Sequence, residues 1–409
     1  MKIPLPFVMY KGLPKDIYYI ALANFVLGLG NFIIPFMILL LNQKLGYSTT
    51  VAGALAMGVT GSYLVGNLIG GKLSDSLGHK KTMVSGEILG SLVLLICGFF
   101  VEAHAVLPGL LFISYLFYGM AFPASNALVA DLSSPANRNA VMSLSYLAYN
   151  LGSGIGPVLA GYLFWHHTTW VFWGNGLAGL IGVMIILFGV ARHRDAFSTI
   201  ETSSLEKEIT GSVWQVFLQR PHLLVFGVLC TFLWFSLDQM TMTTPLYLSH
   251  IYEKQGPVLY GQLMTFASIL VVIITPLIIR LTAKVSNITS LAIAGFVFAT
   301  GYSLVLSGSS ISFQFLAWFF LAAGEVLLLT KEGVYLANNS PRSHRGRISG
   351  ILTTMRSLVL MPTYIGIGAY IEHFGYVSTW LMIITISVIT GIAFWLFSCY
   401  QRSRDKIKA

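Results

Sequence analysis

Gly71-Lys72-Leu73-Ser74-Asp75-Ser76-Leu77-Gly78-His79-Lys80-Lys81 is a charged, glycine-bracketed stretch set between two long apolar runs. In a chain of 409 residues that is 56% hydrophobic and only 10% charged, it reads as a turn at a membrane surface. Soluble domains carry about 25% charged residues, and a mean hydropathy of +0.76 with 15 acidic side chains does not describe one. Outward from this turn, stretches long enough to cross a bilayer as helices, about 20 residues each, fall near 17–41, 49–73, 82–101, 106–130, 140–164, 169–191, 222–249, 258–280, 288–307, 312–336, 347–370 and 376–398. The weak alternation of apolar and polar residues argues against an outer-membrane barrel.

The basic residues set the expected orientation. The N-terminus, the loops after spans 2, 4, 6, 8 and 10, and the C-terminal tail hold 20 of the 24 lysines and arginines, whereas the opposite loops hold only Lys44 and Lys254. Both termini are therefore expected in the cytoplasm. The net charge of +9 is read as topology and contact with membrane lipids, not as a nucleic-acid footprint. Lys2 and Lys11 precede a first span too long for a signal-peptide core, so no cleavable signal is expected. Cys97, Cys230 and Cys399 lie in apolar runs without metal or disulfide spacing and read as packing residues.

The long polar stretch 192–221 divides the chain into an N-terminal six-helix bundle (1–191) and a C-terminal one (222–409). Within it, Ser203 and Glu206 suggest a capping box, and Trp214, Phe217 and Leu218 the greasy edge of a short amphipathic helix. The halves echo each other: Ala130-Asp131-Leu132-Ser133-Ser134-Pro135-Ala136-Asn137-Arg138 after span 4 parallels Ala337-Asn338-Asn339-Ser340-Pro341-Arg342-Ser343-His344-Arg345 after span 10. The expected fold class is thus an all-α membrane protein, with twelve transmembrane helices in two pseudo-symmetric bundles.

On these residues the chain resembles the major facilitator superfamily. Gly71, Asp75, Gly78 and Lys80 match its G-x-x-x-D-[RK]-x-G-[RK]-[RK] loop, with Ser76 and His79 replacing two basic residues. The resemblance implies a conformational gate here, to which Asp131 and Arg138 are added as a helix-end carboxylate and its candidate partner. Gly152, Gly156, Pro157 and Gly161 in span 5 resemble the antiporter motif of the drug/proton antiporter branch; small residues at this spacing also suit generic close packing. As the motif, they imply a tight, dry contact between spans 5 and 8.

Over most of its length the chain is similar to LmrP-like multidrug transporters: Phe235-Ser236-Leu237-Asp238-Gln239 with Pro245-Leu246-Tyr247-Leu248-Ser249, Gly324-Glu325-Val326, and Arg356 all match that group. Ser145 stands where the group has a further carboxylate, and Tyr115 where the drug-transporter span 4 has an arginine.

A carboxylate deep in a membrane span is expensive unless neutral, paired or watered, which makes Glu325 and Asp238 the expected proton-coupling residues. Gln239, Thr241, Thr243 and Thr244 beside Asp238 suggest a wet cavity wall. Arg356 is the expected charge partner of either Glu325 or Glu332, and Lys331 with Glu332 marks the cavity's cytoplasmic rim. Glu87, one turn into span 3, fits either a cytoplasmic-edge contact or a buried coupling group. Asn31, Tyr115, Tyr146, Tyr149, Met240 and Met242 are candidates for a cavity suited to bulky amphiphiles.

These readings lead to a secondary transporter that exports lipophilic, often cationic compounds in exchange for protons by alternating access. The proton is its coupling ion, and no metal, other cofactor or catalytic residue is expected. It is expected as a multi-pass monomer in a bacterial inner membrane. The alternatives are a proton-linked exporter or flippase of a native amphiphile, such as a glycolipid or sugar derivative, and a non-transporting membrane sensor. Gly66-Asn67-Leu68-Ile69-Gly70-Gly71-Lys72 imitates a P-loop, but Leu73 stands where the serine or threonine is needed.

Overall fold

A computed structural model describes residues 10–133, 137–190, 217–308, 310–340 and 345–408. All their regular structure is helical, the arrangement that satisfies backbone hydrogen bonds within each segment where water is absent. The helices are α1 (Lys15–Leu29), α2 (Ile33–Leu39, continued by a π turn over Leu40–Lys44), α3 (Thr49–Leu77), α4 (His79–Cys97), α5 (Val106–Asp131), α6 (Arg138–Leu163) and α7 (Thr168–Gly189). They are followed by α8 (Pro221–Asp238), α9 (Thr243–Tyr252), α10 (Gly256–Leu281), α11 (Asn287–Ser307), α12 (Ile311–Asn339) and α13 (Arg345–Lys408). Gly375 interrupts α13 with φ 74 and ψ 174.

Among the described residues, eight helical runs are long and apolar enough to cross a bilayer. Two of them, Pro221–Leu281 and Gly350–Ser403, are 61 and 54 residues long, far beyond one crossing. The helices α4 and α6 are not among the eight: Lys80, Lys81 and Glu87 charge the first, and the second is rich in Gly, Ser and Asn.

The chain divides into two compact units, Met1–Ala196 with Leu248–Ser268, and Phe197–Tyr247 with Ile269–Ala409. Much of the polar stretch 192–221, including the expected amphipathic helix, lies outside the described residues. In the first unit, Ile17, Ile20, Ala23, Met83, Ala124, Leu128, Val141 and Ile186 form a buried cluster drawn from α1, α4, α5, α6 and α7. Glycines bring α3 and α5 together. A Cβ on Gly66 would lie 2.0 Å from the Leu116 carbonyl oxygen, and one on Gly119 would lie 2.1 Å from that of Tyr63. In the second unit, Trp318, Trp380, Tyr302 and Phe298 are wholly buried, and Gly295 lies against the Gly391 backbone.

The Gly71–Lys81 stretch departs from its reading as a turn. α3 runs through Gly71 to Leu77, and α4 starts at His79, so the reversal falls on Gly78 alone. Gly78 has φ 93 and ψ 148, a region that only glycine enters without strain. Replacing it with alanine is expected to destabilise the fold by about 1–3 kcal/mol. Gly71→Ala, in open helical surroundings, is expected to be neutral or to stabilise by up to about 1 kcal/mol. Thermal unfolding of both purified variants in detergent checks the contrast.

Candidate functional site

The first long run of each half is broken. α1 stops at Leu29 and α2 resumes at Ile33, leaving Gly30, Asn31 and Phe32 between them; α8 stops at Asp238 and α9 resumes at Thr243. Interrupted helices at matching places in two halves are a known way to expose backbone and polar groups to a substrate. Their local causes differ. Gly30 packs so closely on α7 that a Cβ would sit 2.2 Å from that of Ala178, while Pro245 in the first turn of α9 cannot donate a backbone bond to Thr241, inside the break.

The second break does not form a wet wall. Gln239, Thr243 and Thr244 are fully buried and bond among themselves. The Thr243 hydroxyl donates to Gln239 Oε1 at 2.7 Å, the Gln239 amide to the Phe235 carbonyl at 3.0 Å, and the Thr244 hydroxyl to the Gln239 carbonyl at 2.9 Å. These bonds satisfy the backbone groups that the break frees. Met240 and Met242 are likewise buried, at 5% and 1% exposure.

The polar centre of the second unit is an ion pair with an aromatic cover. Arg356 donates to Glu332 at 3.1 Å, and both side chains are mostly buried. Trp234 donates its indole N–H to the other Glu332 oxygen at 2.8 Å, and its ring lies 4.0 Å beneath the Arg356 guanidinium. Of the two partners open to Arg356, the structure therefore selects Glu332 and leaves Glu325 without it. Trp234 went unrecognised in the sequence, where nothing separates it from the other tryptophans of the apolar runs.

Asp238 and Glu325 are half-buried, and neither side chain makes a hydrogen bond or ion pair among the described residues. Asp238 is within electrostatic reach of Arg356, and the buried Tyr302 is within reach of both acids. Tyr302 stacks on Trp380, with ring centroids 5.3 Å apart, and its hydroxyl donates to the Ser236 carbonyl. Lys331 is buried at 8% exposure and has no ion pair among the described residues.

In the first unit, Asp75 is exposed and makes no ion pair among the described residues. His79, one of the departures from the family loop, takes over the contacts. Its Nδ1 meets the Ser74 hydroxyl at 2.6 Å, and its Nε2 lies 3.5 Å from Asp131. Asp131 thus has a partner on α4; the Arg138 side chain lies outside the described residues. Lys80 donates to the Val190 carbonyl at 2.7 Å, tying the start of α4 to the end of α7.

The glycine motif of α6 serves two neighbours, not one. A Cβ on Gly152 would meet the Phe25 carbonyl oxygen at 2.1 Å, and one on Gly156 that of Leu29 at 2.7 Å, so both face α1. Gly161 faces α10 instead, where a Cβ would meet the Pro257 carbonyl oxygen at 2.6 Å; the Pro157 carbonyl would lie 2.3 Å from a Cβ on Gly261. Thr265 adds a hydroxyl bond to the Gly154 carbonyl. Helical spacing explains the split: four residues return a side chain to within about 40° of the same face, whereas five turn it by about 140°. Of the remaining cavity candidates, Asn31 lies in the first break, Tyr115 is buried, and Tyr146 and Tyr149 are exposed at 63% and 41%.

The family model described as Major Facilitator Superfamily matches residues 20–361. The chain is 24% identical over 388 residues to YttB, an uncharacterised MFS-type transporter of Bacillus subtilis, covering 93% of this chain and 96% of that one. It is 21% identical over 406 residues to a Na(+), Li(+), K(+)/H(+) antiporter of Planococcus maritimus, covering 90% and 92%. Among solved structures, the nucleoside transporter NupG superposes with a TM-score of 0.78 over 93% of this chain and 99% of that one, at 12% identity, a likeness of fold alone. Helices with interior charges, a glycine-turned α3–α4 junction and a family match across most of the sequence converge on one conclusion: the chain belongs to the Major Facilitator Superfamily and is a multi-pass membrane transporter.

Proposed function

We propose that this transporter exports lipophilic cations in exchange for protons by alternating access, with Glu325 and Asp238 as the proton-coupling carboxylates. One observation carries the reading. The interior arginine is already committed to Glu332 and Trp234, so Asp238 and Glu325 stand without a bonded partner among the described residues. Such groups take up a proton or a cation, and exchanging one for the other is antiport. The reading includes twelve spans, both termini in the cytoplasm, a monomeric unit and a bacterial inner membrane.

The test is substrate-driven proton movement in proteoliposomes carrying a trapped pH dye. Glu325→Gln is expected to abolish proton release on addition of cationic dyes, and Asp238→Asn to reduce it severely. Wild-type protein that moves no protons with any cationic dye would sink the reading. The likeness to the Na(+), Li(+), K(+)/H(+) antiporter of Planococcus maritimus favours a second reading, alkali-cation/proton exchange. Na⁺, K⁺ and Li⁺ gradients in the same vesicles separate the two.

A further inference from the structure

At the end of the first unit opposite Gly78, the last residues of the α2 π turn, the chain after α4 and the α6–α7 connection enclose a cavity of about 610 Å³. Its lining includes Lys44, Phe99, Glu102, Trp165, Trp170 and Trp173. The volume falls within the range of small-molecule sites, about 300–1,000 Å³. Neither the proposed coupling nor the α3–α4 junction uses any of these residues.

The walls are held in place. The Trp173 indole N–H donates to the Leu95 carbonyl, one of those left free at the end of α4, at 3.0 Å. Its ring lies against Gly98, where a Cβ would come within 2.2 Å of the indole nitrogen. Phe99 and Trp170 stand roughly edge to face with the same ring, at centroid distances of 5.3 and 5.5 Å and interplanar angles of 61° and 79°. On the other side, Lys44 donates to the Trp165 carbonyl at 2.8 Å, and its ammonium lies 5.0 Å from the Trp165 ring centroid. That bond engages one of the three ammonium hydrogens and leaves two. The Thr168 hydroxyl closes the α6–α7 connection by donating to the Phe164 carbonyl at 2.6 Å.

The lining carries one lysine and one glutamate, whose formal charges cancel; His166 and His167 are its other ionisable side chains. Glu102 is exposed and makes no hydrogen bond or ion pair among the described residues. Lys44 and Glu102 thus share one cavity without closing on each other, a gap that a short molecule with opposite charges at its two ends can fill. A simple cation would meet Lys44 as a like charge, and a simple anion would meet Glu102.

We infer that this cavity binds a small soluble zwitterion of the betaine type, with its carboxylate on Lys44 and its quaternary ammonium between Glu102 and the rings of Phe99, Trp170 and Trp173. Methyl groups on the nitrogen give the cation an apolar surface that suits aromatic walls, and tryptophan is the strongest ring partner for such a cation. A primary ammonium would hold its water more tightly and gain less from those rings.

The experiment is equilibrium binding of radiolabelled glycine betaine to the purified full-length protein in detergent. The competitors are choline, which lacks the carboxylate, and 3,3-dimethylbutyrate, in which carbon replaces the charged nitrogen. Wild type is expected to prefer betaine to either competitor by at least about tenfold, equivalent to about 1.4 kcal/mol. Lys44→Met is expected to remove the preference over choline, and Glu102→Gln the preference over 3,3-dimethylbutyrate. Should Lys44→Met fail to fold, Glu102→Gln, at an exposed position, decides alone.

Absence of betaine binding to wild type overturns the proposal, and so does an unchanged preference in Glu102→Gln. Equal binding in nanodiscs of phosphatidylcholine and of phosphatidylglycerol is expected. Binding lost only in phosphatidylcholine would assign the cavity to a zwitterionic lipid headgroup and overturn the soluble ligand. The readout is binding without transport, so this site stands or falls independently of the export reading.

Discussion

Arg356→Met is expected to cost this protein about 3–5 kcal/mol of stability, because it strands Glu332 as an unpaired charge inside an apolar bundle. The two side chains are 18% and 17% exposed, too buried for water to replace the lost partner. The substitution also removes the cation from the Trp234 face, 4.0 Å away, a contact worth about 0.5–2 kcal/mol. Glu332→Gln alone should cost less, since the amide still accepts from Trp234 and Arg356 can turn toward Asp238.

The double variant Arg356→Met, Glu332→Gln is expected to recover much of the loss, because breaking a buried pair costs more than removing it. Thermal unfolding of the four proteins in detergent gives the cycle. Equal stability of wild type and Arg356→Met would show that the pair is solvated. If the doubly substituted protein is as stable as wild type yet inactive in the proteoliposome assay, the pair is kept for function.

Gly119→Leu is expected to prevent α3 and α5 from packing and to leave little folded protein. Even the first added carbon would lie 2.1 Å from the Tyr63 carbonyl oxygen, and that obstacle is backbone, which cannot rotate aside. A Cβ on Gly66 would meet the Leu116 carbonyl oxygen at 2.0 Å in the reciprocal place, so the two helices have no room to slide past the clash. Gly119→Ala should cost about 1–3 kcal/mol, the usual range for overpacking. Gly109, in the same helix, has nothing within 4 Å of an added Cβ, and Gly109→Ala is the matched control. Detergent-solubilised yield and unfolding temperature report the difference; equal values for Gly119→Ala and Gly109→Ala would refute the close packing.

How legible the candidate site was depended on the kind of question asked. That Glu325, Asp238 and Arg356 matter follows from the expense of charge in a membrane span, a property of each residue and its neighbours along the chain. Which acid Arg356 meets depends on azimuth and on the distance between helices, and the sequence left Glu325 and Glu332 equally open. Glu87 shows the limit most clearly. Its place near the start of span 3 suggested an edge contact as readily as a buried one, and its Oε2 is shielded from solvent. Gly66, Gly90 and Gly119 bring α3, α4 and α5 together, an effect that appears only when two backbones touch.

Apolar run length, the spacing of basic residues and the charged loop Gly71–Lys81 were enough by themselves to establish a helical, multi-pass membrane protein and to point to its superfamily. Bilayer crossing depends on contiguous hydropathy, and hydropathy is local. Tertiary structure alone decided that Gly78 makes the turn unaided, that Met240 and Met242 are buried, and that Gly152 and Gly156 face α1 while Gly161 faces α10. It alone paired His79 with Asp131 and Arg356 with Glu332. These are outcomes of helix rotation and close approach, fixed by how whole surfaces pack and not by the residues adjacent in sequence.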